Sequence, residues 1–333
     1  LLNKVYTVQK RDGMQALLYG VDEIEDVEPL TLSNYHDNEA SGLTVVHGAG
    51  EQYLLFKHGK FGGEHDHYDK LGIHYSVGEC DVIADFGTVG YNAPHHYPYF
   101  KNTFTHNTVC INGVNQPPAD GKTIEYRSGD GETLVQGYAG WVGELPDRDS
   151  LTITQWDEDA YRGVRMNRAL LVRDEYIVEA FLVRGADGKT VDWNIHPKGA
   201  WAAREDAKPD TVGDSQPQRF LHDAVGVSNH GVVESVWVQD AGTLRVWSGC
   251  NCEGRLIYAQ GPDNPPDKTV TYLTHRVEGM RGDILYMNVI CFERDGNKLQ
   301  KVSMSQQDAR NVEICVTYDG VERRHAFSIG QEA

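Results

Sequence analysis

The sequence predicts an all-β fold, specifically a large antiparallel β-sandwich. Short runs in which apolar and polar residues alternate recur from Ser33 onwards, and such runs are typical of half-buried strands. Turn residues separate the runs, and the chain contains 35 Gly and 12 Pro. After Gly50 no amphipathic helix of about 12 residues or more is evident. Closely spaced strands with few helices favour a sandwich.

The first part of the chain differs from the rest and predicts the domain division. Within residues 1–30 the sequence predicts one short helix around Met14–Gly20, followed by an acidic linker that ends at Pro29. We expect them to be a linker or the end of a missing N-terminal helical domain, since the opening lacks the layout of a signal peptide. Residues 31–333 are predicted to be the antiparallel β-sandwich domain that carries the metal site.

The strands can be followed in order along the second region. Two strands, NYHDNEASGLTVVHG and QYLLFKHG, are joined by a turn at 48–50, and HYDKLGIHYSV, CDVIADFG and NTVCING follow. Later strands are TIEYRS, TLVQGYAG, LTITQW, RALLVRDEYIVEAFLVRG, TVDWNIHP, ESVWVQD, TLRVWSG, RLIYAQG, DILYMNVICFER, NVEICVTYDG and RRHAFSIG. The sequences RDEY, DAG, RDGN and YDGV predict hairpin turns, and residues 203–217 predict a surface loop.

Charge and hydropathy exclude two classes of partner. The chain has 31 Lys and Arg against 49 Asp and Glu, a net charge of −18, whereas a nucleic-acid surface needs clustered cations. There is no run of about 18 apolar residues, so we expect no membrane span. The charge still permits a short anion held by a few local cations.

The cysteine pattern does not predict a disulfide framework. Cys250 and Cys252 are the closest of the six cysteines, but C-x-C is not the usual spacing for zinc or redox motifs. Cys110, Cys291 and Cys315 lie in strand-like runs, where cysteine usually serves as a small buried apolar residue. This pattern favours a reducing compartment, the bacterial cytoplasm ahead of the periplasm.

Residues 62–112 are the predicted functional segment. They make up 51 of the 333 residues but contain six of the 14 histidines. Carboxylates and tyrosines are interspersed among these histidines. Imidazole, carboxylate and phenol are the groups that bind zinc and transfer protons.

The spacing of these residues predicts a metal site. His65 and His67 would lie on one face of an extended strand, about 6.5–7 Å apart, so that one can bind a metal while the other faces a substrate. Asp85 lies in the apolar run VIADFG and needs a partner there. Together with His106, from a third strand, these residues would form a His₂Asp zinc site with one open position. The spacing of these four residues is also compatible with ordinary roles in turns and at strand ends.

Three motifs in order resemble those of the heparinase II/III-like polysaccharide lyases. They are GGEHDHYDKLGI, DFGTVGY and YPYFKNTFTHNTVCINGVNQ. The resemblance is closest to the exolytic oligoalginate lyases and exolytic heparinases. It covers residues 60–120 well and the remaining β-rich chain loosely.

The resemblance assigns roles to individual residues. It implies that zinc is bound by His67, Asp85 and His106, and that His65 faces the uronate at the cleavage site. A tyrosine after the Asp-x-Gly motif also lines that site in the family, and the candidates here are Tyr91, Tyr97 and Tyr99. We expect Asp69 to brace a histidine or the nearby backbone, with a turn carboxylate as the alternative. Asn107 is expected to fix the His106 loop or to serve as a strand-end residue.

The family's activity is β-elimination at uronate residues of acidic oligosaccharides. It also implies an N-terminal α/α toroid domain, which carries a catalytic tyrosine and which this chain lacks, so we expect activity to require that domain. We predict an exolytic oligoalginate lyase, with a heparin or heparan sulfate lyase as one alternative. Others are a non-catalytic, zinc-stabilised β-sandwich that binds acidic sugar or a partner domain, and a hydrolase that uses a zinc-bound water.

Overall fold

The computed structural model describes residue 14 and residues 32–37, 40–48, 51–145 and 154–331. The chain divides into two compact units, Leu1–Asn34 and Tyr35–Ala333. Apart from the helical residue Met14, the helix and linker predicted for residues 1–30 lie outside the described part of the chain.

The second unit is built from antiparallel sheets. The largest has eight strands in the order β12-β15-β16-β19-β10-β9-β8-β7. Their bounds are β7 Lys122–Gly129, β8 Glu132–Gly140, β9 Arg165–Arg173, β10 Ile177–Arg184, β12 Ala200–Trp201, β15 Val233–Gln239, β16 Gly242–Cys250 and β19 Ile284–Glu293.

A six-stranded sheet has the order β13-β14-β17-β18-β11-β6. Its strands are β6 Val109–Ile111, β11 Thr190–Ile195, β13 Lys208–Pro209, β14 His222–Asn229, β17 Gly254–Pro262 and β18 Thr269–Glu278.

Two smaller sheets complete this unit. The five-stranded sheet runs β1-β2-β3-β4-β5, and the three-stranded sheet runs β20-β21-β22. The strands are β1 Tyr35–Asp37, β2 Leu43–His47, β3 Gln52–Lys57, β4 Ile73–Val77, β5 Cys80–Ile83, β20 Leu299–Gln306, β21 Asn311–Tyr318 and β22 Val321–Ser328.

Helices in the described part of this unit are short. The α-helix α1 spans Glu158–Tyr161, and the side chain of Asp157 caps it by accepting a hydrogen bond from the Ala160 amide. The other helical turns are the 3₁₀ helices Gly63–His65, Thr103–Thr105 and Gln218–Phe220 and the π-helix His96–Phe100. The predicted all-β class is therefore confirmed. None of the described helices is long and apolar enough to cross a membrane.

The central strands are buried on both faces, and each face contributes to a separate hydrophobic core. Phe181 of the eight-stranded sheet, Trp193 of the six-stranded sheet and Phe56 of the five-stranded sheet belong to one cluster. On the opposite face of the eight-stranded sheet, Leu285 packs in a second cluster with Ile314 of the three-stranded sheet. Strands with both faces covered need apolar residues at successive positions, and all ten residues of β19 are buried.

A third core connects the six-stranded sheet to the segment 62–112. Successive side chains of a strand point to opposite faces, so Leu273 of β18 joins the first core while Tyr272 faces the other way. Tyr272 packs there with Phe86, Phe100 and Phe104. The functional segment is thus anchored on an apolar face of the sheet.

Three local predictions were wrong. NYHDNEASGLTVVHG, predicted as one strand, contains the two strands β1 and β2, which pair with each other. RDGN connects β19 to β20, which belong to different sheets, because Glu293 accepts hydrogen bonds from the amides of Lys298 and Leu299 and turns the chain away. The predicted strand LTITQW is not a strand in its described part, 154–156. There the side chain of Asn115 donates to the Gln155 carbonyl and the Tyr68 hydroxyl donates to the Thr154 carbonyl, so side chains bind backbone groups that a neighbouring strand would otherwise bind.

Candidate active site

The predicted site residues lie in loops and helical turns. His65 ends the 3₁₀ helix Gly63–His65, and His67 lies in the loop after it. The expectation that both lie on one extended strand is wrong, because the Asp66 carboxylate accepts hydrogen bonds from the amides of Gly62 and His67 and closes a tight turn. Likewise, Asp85 follows β5 and His106 follows the turn Thr103–Thr105.

The structure brings together the three residues predicted to bind a metal. Nδ1 of His106 lies 2.9 Å from Oδ2 of Asp85, and Nε2 of His106 lies 3.2 Å from Nδ1 of His67. His106 is buried, whereas His67 and Asp85 are half-buried. His106 therefore lies between the other two and contacts both.

Asp69 joins this group more directly than the sequence predicts. Possible ligand atoms of Asp69, Asp85 and His106 all lie within 4.8 Å of one another. The Asp69 carboxylate also lies 2.6 Å from Nζ of Lys57, and Lys57 forms a second ion pair with Asp66. The donor set thus comprises two imidazoles and two carboxylates, with a lysine partly balancing the negative charge.

Burial and neighbouring charges separate the pKa values of the cluster. Burial lowers the pKa of His67 to about 4, helped by the positive charge that His106 can carry. Burial also opposes ionisation of His106 and Asp85, but their mutual attraction raises the pKa of His106 and lowers that of Asp85. Without a metal, His106 is suited to carry both ring protons, donating one to Asp85 and the other to His67.

The donor set fits a small divalent metal that accepts nitrogen and oxygen. Two nitrogens that each lie about 2.05 Å from a tetrahedral zinc ion are about 3.3 Å apart. The separation between His67 and His106, 3.2 Å, is close to that value. Asp85 lies against the other ring nitrogen of His106, Nδ1, and one possible ligand atom from each of Asp69, Asp85 and His106 lies within 4.8 Å of the other two.

Asn107 holds the loop that carries His106. Its Nδ2 atom donates 2.9 Å hydrogen bonds to the carbonyls of Ile73 and Ala84, and its Oδ1 atom accepts one from the His196 amide at 2.8 Å. One side chain thereby connects β4, the end of β5 and the segment after β11. Asn107 contacts the backbone around the cluster.

Further hydrogen bonds connect the His67 loop to the His106 loop. Thr103 Oγ1 donates to the Tyr68 carbonyl at 2.6 Å, and Thr108 Oγ1 donates to the Lys70 carbonyl at 2.7 Å. Arg168 of β9, which is fully buried, donates 2.6 Å hydrogen bonds to the carbonyls of Leu71 and Asn107. The positions of both loops are therefore fixed from the core of the eight-stranded sheet.

The exposed side of the site contains His65 and Tyr91. Nδ1 of His65 lies 2.6 Å from the phenol oxygen of Tyr91, whose side chain is 54% exposed. Contacts between rings continue inwards from Tyr91 to His96 at 4.8 Å and from His96 to His67 at 6.4 Å between centroids. The half-buried Tyr97 also packs against His96, with 4.5 Å between the ring centroids.

The third candidate tyrosine, Tyr99, does not line the site. It is fully buried in the third core, and its phenol oxygen lies 2.6 Å from that of Tyr272 and donates to the Pro262 carbonyl at 2.7 Å. Burial raises the pKa of Tyr99 far above its ordinary value. The prediction that Tyr99 faces the cleavage site is corrected for these reasons.

His96 is a further residue of the site that the sequence motifs did not single out. It is only 2% exposed, and its Nδ1 atom lies 3.1 Å from Oγ1 of Thr88. The π-helix His96–Phe100 turns its ring inwards between Tyr91 and Tyr97. The sequence feature that indicates a buried position for His96 is the aromatic run HHYPYF, to which it belongs.

Comparison with known families agrees with the motifs. The model described as "Heparinase II/III-like, C-terminal" matches residues 31–256. The chain belongs to this family. A search among curated proteins finds no match to the sequence.

Solved structures share the fold of this heparinase II/III-like chain. A heparinase III superposes with a TM-score of 0.64 at 13% identity, over 98% of this chain and 46% of that one. The heparan sulfate lyase HepC from Pedobacter heparinus gives 0.64 at 11% identity, over 96% and 46%. A second heparinase III structure gives 0.62 at 12% identity, over 87% and 42%. The chain spans slightly less than half the length of these proteins.

Proposed function

We propose that this chain is the β-sandwich part of a polysaccharide lyase that cleaves acidic oligosaccharides by β-elimination at a uronate. The observation that carries the proposal is the exposed contact between His65 and Tyr91, which lies at the outer end of a row of rings leading to the His67–His106 pair. A sugar can reach the first pair, while the second is held inside.

The chemistry of β-elimination suits an imidazole and a phenol in hydrogen-bond contact. A base removes the proton from C5 of the uronate, the bond from C4 to the departing oxygen breaks, and an acid protonates that oxygen. A phenol with an ordinary pKa of about 10 is a poor base unless a neighbour stabilises its anion. His65 Nδ1 is placed to share the Tyr91 proton, and the same pair can stabilise charge on the substrate carboxylate.

Zinc is the proposed resident metal, held by His67, Asp85 and His106 with Asp69 beside them. The separation between the two imidazole nitrogens and the two nearby carboxylates supports this assignment. Bound there, zinc supplies a fixed positive centre that ties the ligand-bearing loops together. The chain's own residues then hold His65 and Tyr91 at the exposed side.

An unsulfated uronate oligomer of the alginate type is the proposed substrate, with cleavage from a chain end. Charge-assisted hydrogen bonds from Lys and Arg are the strong contacts that an anionic group such as sulfate can make. Lys57 and Lys70, which reach the loop around Asp66, are both engaged by its carboxylates. Because both lysines are already paired with carboxylates, the site suits a sugar that carries only carboxylates. The net charge of −18 disfavours a long polyanion.

We further propose that an N-terminal toroid domain completes the site. The similar structures are about twice as long as this chain, so there is room in such proteins for a second domain. An assay of unsaturated-product absorbance would compare this chain alone, and joined to such a domain, on oligoalginate and heparan sulfate oligomers. Activity on oligoalginate that requires the toroid is the expected result.

Other outcomes of that assay distinguish the alternatives. If no uronate is cleaved in the presence of the toroid while one zinc is retained per chain, the chain is a zinc-stabilised binding module. Cleavage that gives a saturated product would instead indicate a hydrolase with a zinc-bound water. Preference for heparan sulfate oligomers would overturn the assignment of an unsulfated substrate.

A further inference from the structure

A second group of reactive side chains lies where β16 leads into β17. Cys250 is the last residue of β16, Cys252 lies two residues later, and their Sγ atoms are 3.3 Å apart. Both are free thiols and both are half-buried. The chain passes here from the eight-stranded to the six-stranded sheet.

Asn251 holds the turn in the shape that brings the two thiols together. Its backbone N–H donates to the Leu285 carbonyl at 3.1 Å, and its Oδ1 atom accepts from the Leu285 amide at 2.9 Å. Its Nδ2 atom donates to the Asp283 carbonyl and to Gln306 Oε1. Because these bonds bind the middle residue to β19 and β20, the flanking sulfurs are held close without a covalent bond.

The separation between the sulfurs favours bond formation between them over a shared metal. Two thiolates bound to a tetrahedral zinc ion at about 2.3 Å are about 3.8 Å apart. The observed 3.3 Å is shorter. Among the contacts described for the pair, the only other polar side chain is Asn251, whose Oδ1 atom is already occupied by Leu285.

We propose that Cys250 and Cys252 form a dithiol–disulfide site that exchanges with small-molecule disulfides such as glutathione disulfide. The Cys252 thiol loses its proton and its sulfur attacks one sulfur of the reagent, whose S–S bond breaks and releases one thiol. Cys250 then loses its proton and attacks the Cys252 sulfur, and the second thiol leaves. Two protein thiols are oxidised to one disulfide, and the reagent is reduced to two thiols.

The order of attack agrees with the environment of each sulfur. The hydrogen bond between the two thiols lowers the pKa of Cys252, although burial opposes this. The same hydrogen bond, together with burial, raises the pKa of Cys250. Cys252 is therefore the first nucleophile, and the nearby Cys250 is the resolving thiol.

A peptide map of the full chain tests the proposal. The protein is incubated with glutathione disulfide, quenched in acid, alkylated and digested with trypsin. The peptide 246–255 contains both cysteines, while 311–323 contains the half-buried Cys315 alone and is the internal control. We expect peptide 246–255 to lose two hydrogens and take no alkyl group, at a rate about tenfold or more above the modification of Cys315.

Two variants separate this route from simple oxidation. In Cys250→Ser the reaction should stop at one glutathione on Cys252, and in Cys252→Ser the remaining Cys250 should react about tenfold more slowly than the pair. The proposal is overturned if the wild-type peptide takes two alkyl groups after the incubation, or carries glutathione on both sulfurs. Binding of zinc to the pair in place of disulfide formation would also overturn it.

Discussion

The Nδ1 atom of His65 lies 2.6 Å from the phenol oxygen of Tyr91, and Tyr91 packs edge-on against His96. Since His96 also contacts His67, the exposed pair has a defined position relative to the imidazoles of His67 and His106. The contacts place the imidazole of His65 and the phenol of Tyr91 at the surface and the proposed zinc ligands behind them. Substitutions at the two ends should therefore have different consequences.

Loss of His65 should abolish most activity without unfolding the protein. The side chain is exposed, so His65→Ala should change the free energy of unfolding by less than about 0.5 kcal/mol. Loss of a group that assists proton transfer should lower kcat by about 10²–10⁴-fold. Tyr91→Phe, which removes only the hydroxyl, should lower kcat by a similar factor. Unsaturated-product absorbance measures kcat, and urea titration measures stability.

His222→Ala is the matched control for His65→Ala. His222 is also an exposed histidine, with 57% of its side chain accessible, and its ring pairs with the adjacent Asp223. Its replacement should leave kcat unchanged. Equal activity of His65→Ala and His222→Ala would remove His65 from the cleavage site.

Removal of a metal ligand should lower both metal content and stability. His67→Ala and His106→Ala should each reduce zinc, measured by elemental analysis, by about 10-fold or more from one ion per chain. His106→Ala also leaves Asp85 without its ion-pair partner, so its melting temperature should fall further. A chelator should lower the melting temperature of the wild type but have little additional effect on either variant.

An unchanged zinc content in both variants would contradict the assignment of ligands. His222→Ala again serves as the control, since it lies on β14 outside the cluster. Asp69→Asn provides a finer distinction. A fall in zinc content comparable to that in His67→Ala would show that Asp69 is itself a ligand, as its position near Asp85 and His106 permits.

The buried ion pair between Arg168 and Glu179 should support the site from the core. Their closest atoms lie 2.7 Å apart, and both side chains are fully buried. Arg168→Met leaves the Glu179 charge unpaired and two loop carbonyls without a donor, so we expect a loss of about 3–5 kcal/mol. Arg127→Met, at an exposed ion pair, should cost less than about 1 kcal/mol.

Urea unfolding of the two arginine variants measures these costs. Because Arg168 binds the carbonyls of Leu71 and Asn107, Arg168→Met should also weaken zinc retention, whereas Arg127→Met should not. A cost for Arg168→Met no larger than that for Arg127→Met would show that the loops are held by other contacts.

Local sequence patterns predicted most of the long strands, but they missed β14, β18 and β20 and did not show which sheet each strand joins. Alternation correctly identified β2 and β3, whose residues are alternately buried and half-buried. It could not show that β20 leaves the sheet of β19, because that depends on Glu293 binding the amides of two later residues. A hydrogen bond between a side chain and the backbone does not change the alternation of apolar and polar residues, so this alternation cannot predict it.

The same limit applies to the candidate tyrosines. Tyr91 and Tyr99 are eight residues apart in one aromatic run, and nothing local distinguishes an exposed phenol from a buried one. The difference arises from Tyr272, 173 residues beyond Tyr99, whose hydroxyl meets that of Tyr99 in the third core. The proximity of His67, Asp85 and His106 could be predicted because their short motifs resemble those of a known family, and their role as zinc ligands stays a prediction.

Acid should destabilise the fold partly through His275. This residue of β18 is fully buried, its Nε2 atom lies 2.8 Å from the amide nitrogen of Asn229, and burial lowers its pKa to about 3. An unfolded histidine has a pKa of about 6.5. Below that pH the unfolded chain binds a proton that the folded protein does not, so stability falls from about pH 6.5 towards pH 3.

His275→Gln should reduce this dependence, since the amide oxygen can still accept from Asn229 but does not titrate. Relative to wild type, the loss of unfolding free energy between pH 7 and pH 5 should shrink by about 2 kcal/mol. Urea titrations at the two pH values measure it. His222→Gln, at an exposed position in the same sheet, is the control and should keep the wild-type dependence. Equal pH dependence in wild type and His275→Gln would mean that His275 takes up its proton without unfolding.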